Sequence, residues 1–153
     1  MSRAFVREDD QVSEPLPERP ISAHLNLVTE HGRDRIDKEV HQLRADLARA
    51  QAASDRDALA RVSRDLHYWE QRRASAQVQK APETHDVVQF GSTVTIVRDD
   101  GRRQTWQIVG EDEADPSRGS VSYVSPLAKA ITGRKAGDVI QIGAGEAEIV
   151  AIE

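Results

Sequence analysis

The chain of 153 residues has no cysteine and only six aromatic side chains, which excludes a disulfide framework, thiolate zinc sites, thiol chemistry and a deep aromatic pocket. Its net charge of −5 divides into −2 over residues 1–28, +2 over 29–80 and −5 over 81–153, so the concentrated basic face that direct duplex DNA binding requires is missing. No apolar run approaches the roughly 18 residues of a membrane span, and the opening "MSRAFVREDD" lacks the basic-then-apolar order of a secretory leader, so a soluble cytoplasmic protein is expected.

Residues 1–20 carry acids and three prolines, ending in "EPLPERP", a composition that favours an extended tether, assigned to 1–28. From Thr29 the pattern turns helical. Ile36, Val40, Leu43, Leu47 and Ala50 alternate in steps of four and three, the seam of a coiled coil, and so do Leu59, Val62, Leu66, Trp69, Arg73 and Ala76. The two series mirror each other about the Ser54–Asp55 bond, pairing Ala50 with Leu59, Leu47 with Val62, Leu43 with Leu66 and Val40 with Trp69. Chain reversal produces this symmetry, so 29–80 is expected to be an antiparallel helical hairpin. In the next layer Ile36 faces Arg73, whose aliphatic stem can cover the seam while its charge reaches water. Either helix alone would be marginal in water, so the shared stripe has to hold them together. A seam satisfied within one chain predicts a monomer.

After "KAPETHD" the apolar period changes to two. "VVQFGSTVTIV", "RQTWQIV", "SVSYV", "DVIQI" and "EAEIVAI" read as strands separated by Gly and Asp. Between the third and fourth, Ser125 suits an N-cap, Pro126 the first helical position and Gly133 the C-terminal cap of one short helix. The expected fold class is α+β: a helical hairpin followed, over 81–153, by a small antiparallel sheet carrying that helix.

Asp55 and Asp57 fall at the fold point and carry two compatible readings. One is a carboxylate pair presented at the end of a rigid stalk. The other is helix initiation, with Ser54 as N-cap and Asp57 as the capping-box acid, in a first turn whose dipole favours acids. Arg56 and Arg61 blunt the field of both. "GEDEAD", 110–115, reads as a solvent-facing turn, because calcium-loop spacing is absent. The histidines show no metal-ligand spacing, and Gly91, Gly101 and Gly119 read as turn residues rather than a phosphate cradle. Trp69 and Trp106 read as core. No metal ligand and no cofactor of the chain's own is expected.

The fragments "FGSTVTI" (90–96), "IVGEDEAD" (108–115) and "VSPLAKAITGRKAGDVIQI" (124–142), in this order behind a helical hairpin, resemble the GreA/GreB family of bacterial transcription elongation factors. "VTEHGRDRIDKEVHQLR" (28–44) also looks like the opening of the family's first helix. The resemblance implies an FKBP-like C-terminal domain that docks at the mouth of the secondary channel of RNA polymerase. It implies a hairpin that enters the channel, bringing acidic tip residues toward the polymerase's catalytic Mg²⁺ and the 3′ end of backtracked RNA. Such a factor is an accessory and not an enzyme, since the cleavage chemistry belongs to the polymerase, where a second hard, octahedral metal needs extra oxygen ligands.

The sequence departs from the family at the tip, where nothing between 45 and 70 matches the usual "GDLSENAEY"-like stretch. The hairpin also reads about five residues per arm shorter, which at about 1.5 Å per residue removes roughly 8 Å of reach. An inner-sphere Mg²⁺ ligand must sit about 2.1 Å from the metal. No catalytic residue is therefore carried over, and Asp55 and Asp57 stand as hairpin-tip candidates for either cleavage stimulation or cleavage-silent occupation of the channel. The resemblance also makes Ser125, Pro126, Leu127 and Ile131 the polymerase-contact candidates. Leu127 and Ile131 share a face that either buries against the sheet or joins a docking patch. Arg61 and Arg64, with Arg72 and Arg73, read either as an RNA-facing surface or as a solvated face of acid–base pairs. A remote alternative is peptidyl-prolyl isomerase, whose fold is shared, although residues 81–153 offer only Phe90, Trp106 and Tyr123 as pocket walls.

Overall fold

Two long helices, α1 (Glu30–Ala52) and α2 (Arg56–Ser75), run antiparallel in the computed structural model, which describes residues 16–153. The first part of the expected tether, including Phe5 and Val6, lies outside the described residues. The chain reverses over Ala53–Asp55, as the mirrored seam requires. Ser54 takes a left-handed φ of 49°, its N–H reaching the Gln51 carbonyl at 3.2 Å while the Asp55 N–H reaches that of Ala50 at 3.1 Å. These are the paired bonds of a Schellman turn, which satisfies the last carbonyls of α1. Asp55 is extended and accepts the Ala58 N–H at 3.1 Å, so it is the N-cap of α2. The expected cap, Ser54, cannot serve: a left-handed residue is not in the extended conformation an N-cap needs. Asp57 consequently sits at the second helical position and makes no capping box.

Ile36, Val40, Ala50 and Leu66 are buried between the helices, with Leu43, Leu47, Leu59, Val62 and Trp69 partly buried beside them. The last layer holds one more arginine than the seam predicts. Arg73 stays at the surface, 2.9 Å from Asp37, and Arg72 is the arginine that goes inside. The seam pattern registers only the facing helix, whereas the base of α2 also meets a loop of the following domain.

Residues 16–28 are extended but docked along the hairpin base rather than free. Leu27–Val28 (β1) pairs in parallel with Gln77–Val78 (β2), a two-residue ladder just past the end of α2. Strands this short carry no detectable period, and the sequence reading missed both.

The remaining strands, β3 (Thr93–Arg98), β4 (Arg103–Val109), β5 (Ser120–Ser122), β6 (Val139–Ile142) and β7 (Gly145–Ile152), form one sheet in the order β5-β4-β3-β7-β6. It is mixed and not purely antiparallel, because β5 lies parallel to β4. The connection between them folds back through the acidic loop and a 3-10 turn, Pro116–Arg118, and re-enters in the original direction. The first expected strand begins late. Gly91, at φ 87°, breaks "VVQF" away from β3, and Val88 instead exchanges bonds with Gly133 and Arg134. Alternate residues Val94, Ile96, Ile108, Ile140, Ala147 and Ile149 point to one side and meet Ala128 and Ile131 of α3 (Pro126–Ile131), whose N-cap is Ser125. That face is the core.

Candidate functional site: an acidic tip on a locked stalk

At about 1.5 Å per residue, α1 carries the turn about 34 Å from its own first residue. Asp55 and Asp57 are both exposed there. Asp55 has one oxygen committed to the cap and borders a shallow groove with Asp46, Arg49, Arg61 and Asp65. A hydrogen bond from the Gln42 side chain, helped by Arg49, holds the Asp46 carboxyl below the usual carboxylate range. Among the described residues, no three His, Cys, Asp or Glu side chains converge in a group that could hold a metal ion.

The other candidates are dispersed. Arg61 is exposed and borders the tip groove, while Arg64 is partly buried and bonded to Asp65 at 3.3 Å. Arg72 is withdrawn from any RNA-facing surface by its burial. At α3, Ile131 is fully buried and Leu127 packs against the core, so the two share the inward face and Ile131 cannot meet a partner. The Ser125 hydroxyl is engaged as the cap, accepting the Ala128 N–H at 3.2 Å. Pro126 is the one of the four that stands exposed.

What holds the stalk is the segment read as a solvent-facing turn, and that reading is corrected. Asp112 accepts from the Arg72 Nε at 2.5 Å and from the Tyr68 hydroxyl. The guanidinium, 2% exposed, also donates to the Asn26 Oδ1 at 2.8 Å, and the Asn26 amide donates back to the Arg72 carbonyl at 2.8 Å. Burial, and then the bond to Asp112, push the Tyr68 hydroxyl up to about 12. Glu113 takes the Thr29 N–H at 2.8 Å, the Thr29 hydroxyl at 2.5 Å and the Gly110 N–H at 3.1 Å. A carboxylate at the start of α1 also complements that helix's dipole. Acids withdrawn from water need partners: Asp112 has the Arg72 charge, and Glu113 has three hydrogen-bond donors.

The approach is close enough to dictate glycine. A Cβ on Gly32 would overlap the Glu113 carboxylate, and one on Gly110 would overlap the Leu27 carbonyl. Gly32 was the legible signal for this joint: glycine in the first turn of a strongly patterned helix costs stability unless the space is needed.

Residues 83–153 match the family described as transcription elongation factor GreA/GreB, C-term. The C-terminal domain is thus of the GreA/GreB type. It is 45% identical over 73 residues to GreA of Rhodopseudomonas palustris strain TIE-1, covering 44% of this chain and 46% of that one. It is 43% identical over 75 residues to GreB of Neisseria meningitidis serogroup B, covering 46% of each. The chain thus matches about half the length of these curated GreA and GreB relatives. Among solved structures, that of the GreA factor homolog 1 protein of Thermus thermophilus aligns over 85% of this chain and 99% of its own, at 21% identity and a TM-score of 0.42. The acidic loop and α3 both fall inside the GreA/GreB segment, whereas the hairpin lies outside it.

Proposed function

We propose that this chain is a transcription elongation regulator that binds RNA polymerase at its secondary channel and inserts the hairpin tip. The observation that carries the reading is the pairing of a GreA/GreB C-terminal domain with a rigid stalk that ends in Asp55 and Asp57 and is bonded to that domain at its base. Inside the channel, Asp57 is the carboxylate with both oxygens uncommitted to helix capping, while Asp55 keeps the turn in shape. Added oxygen donors next to a polymerase-held Mg²⁺ would favour attack of water on the RNA backbone.

The isomerase alternative loses support. Phe90 and Tyr123 pack edge to face, with centroids 5.7 Å apart, and these two rings and Trp106 pack against the sheet core.

The test is capture of core polymerase by the full chain, followed by transcript cleavage on stalled complexes. The proposal expects capture to weaken when residues 30–75 are replaced by a short linker. Asp57→Ala is expected to lower any stimulated cleavage at least tenfold while capture is unchanged. Cleavage absent from the parent chain, with capture and slowed elongation retained, would assign it as a cleavage-silent occupant. No capture at all would sink both forms.

A further inference from the structure

We infer that residues 16–28 form a releasable strap that sets the angle at which the hairpin stands on the sheet domain. In this short extended run the chain touches every part of the joint. Arg19 lies over the Tyr68 ring at 4.0 Å and reaches Asp65 at 3.4 Å, both on α2. Ser22 donates to Glu111 of the acidic loop at 2.9 Å. The Leu25 carbonyl accepts from the Tyr123 hydroxyl, which belongs to the sheet domain. Asn26 returns to the hairpin through Arg72 and Ser75, and the Asn26 and Val28 carbonyls take the Gln77 and Gln79 N–H groups at 2.8 Å.

The spacing of these anchors is what gives leverage. Bonds at Asp112 and Glu113 alone hold the hairpin at its foot, where small rotations meet little resistance. Asp65 lies seven residues up α2 from Arg72, about 10 Å along the axis. A tie there braces the stalk away from its pivot, while the ties on the acidic loop and on Tyr123 fix the strap to the sheet domain. Tilting the stalk by about 15° would carry its end about 9 Å sideways, given a rise of about 1.5 Å per residue.

The chemistry of the strap makes it releasable. A segment meant to be permanent would bury its apolar side chains. This one is rooted at its end by the buried Asn26 and Val28, but ahead of them it keeps Ile21 and Leu25 outward, at 46% and 63% exposure, and holds through polar groups that water can replace. Its upper tie, Arg19 with Asp65, is a partly exposed ion pair, the kind that contributes least.

The chain has no cysteine, so labels can be placed without background. Gln51→Cys on α1 and Lys135→Cys in the sheet domain are both exposed positions. With nitroxides at the pair, pulsed dipolar spectroscopy reads the angle as a distance distribution in the full chain. Adding Arg19→Ala, Ser22→Ala and Tyr123→Phe should at least double the width of that distribution or add a second distance, with far-UV circular dichroism unchanged. A distribution that superimposes on the parent's overturns the strap. Should the triple variant lose its secondary structure, Tyr123→Phe alone carries the test, because its ring can still pack on Phe90. Amides of residues 22–28 should then exchange at least tenfold faster while those of α1 and α2 hold, and unchanged exchange would reject the inference. Because the readouts are a distance and an exchange rate, they stand apart from whether the chain binds polymerase.

Discussion

Replacing Arg72 by methionine removes a guanidinium that is 2% exposed and keeps most of its volume. Asp112, 11% exposed, would be left with the Tyr68 hydroxyl as its side-chain donor, and the Asn26 Oδ1 would lose the donor it now has. Removing one partner of a buried ion pair costs about 3–5 kcal/mol, since the other charge stays buried and uncompensated. The residual exposure of Asp112 and its bond to Tyr68 favour the low end of that range, and the stranded Asn26 acceptor adds about 1 kcal/mol. The expected loss is about 4 kcal/mol. For a chain of this size each kcal/mol moves the melting temperature by about 2–4 °C, so a fall of about 8–16 °C is expected. Urea unfolding followed at 222 nm, with thermal melts beside it, measures both. Arg72→Met combined with Asp112→Leu removes both charges and should recover at least about 2 kcal/mol of the loss. A loss below about 1 kcal/mol for the single variant, or a double variant no better than it, refutes the picture of a charge lock at the joint.

Gly32→Ala would gain about 1 kcal/mol of helix propensity in isolation. Here the new methyl displaces Glu113 from three donors, so a net loss of about 2 kcal/mol is expected; a higher melting temperature would contradict it. Ser54→Gly removes the strain of a left-handed serine at the tip, worth about 1–2 kcal/mol, less about 0.4–1 kcal/mol for the looser unfolded chain, so the urea midpoint should rise slightly. The raised Tyr68 hydroxyl fixes the sign of one pH effect. An acid whose folded pKa lies above its unfolded value contributes stability that is complete below about pH 10 and is lost as pH rises toward about 12. Because the ring is only partly buried, about 1 kcal/mol is the expected size. The stability difference between the parent and Tyr68→Phe should therefore shrink between pH 9 and pH 11, and a constant difference would exclude this coupling.

The hairpin was legible because its pattern is redundant. Several seam pairs had to agree on one reversal point, and any other turn position would have thrown all of them out of register. The Schellman turn at Ser54 was less legible, since serine is a common N-cap and an uncommon left-handed residue, and only the backbone path separates those roles. Asp55 and Asp57 were correctly located at the tip, yet which of them capped α2 depended on a shift of one residue. Ile131 and Leu127 share a face by spacing alone, but spacing cannot say whether a face looks inward. The sheet decides that by covering Ile131.

Local order along this chain follows from short-range physics: helix spacing from Ile36 to Ala76, strand alternation from Val94 to Ile152, and the cap at Ser125 are written in neighbouring residues. The joint is different. Arg72, Asp112, Glu113, Gly32 and Asn26 are far apart in sequence, and each has an innocuous surface reading by itself. An arginine on a helix and acids in a turn prefer water until folding supplies partners close enough to offset their desolvation. Only the tertiary structure brings those partners together, and so only it decides that "GEDEAD" is a clasp and where the acidic tip points.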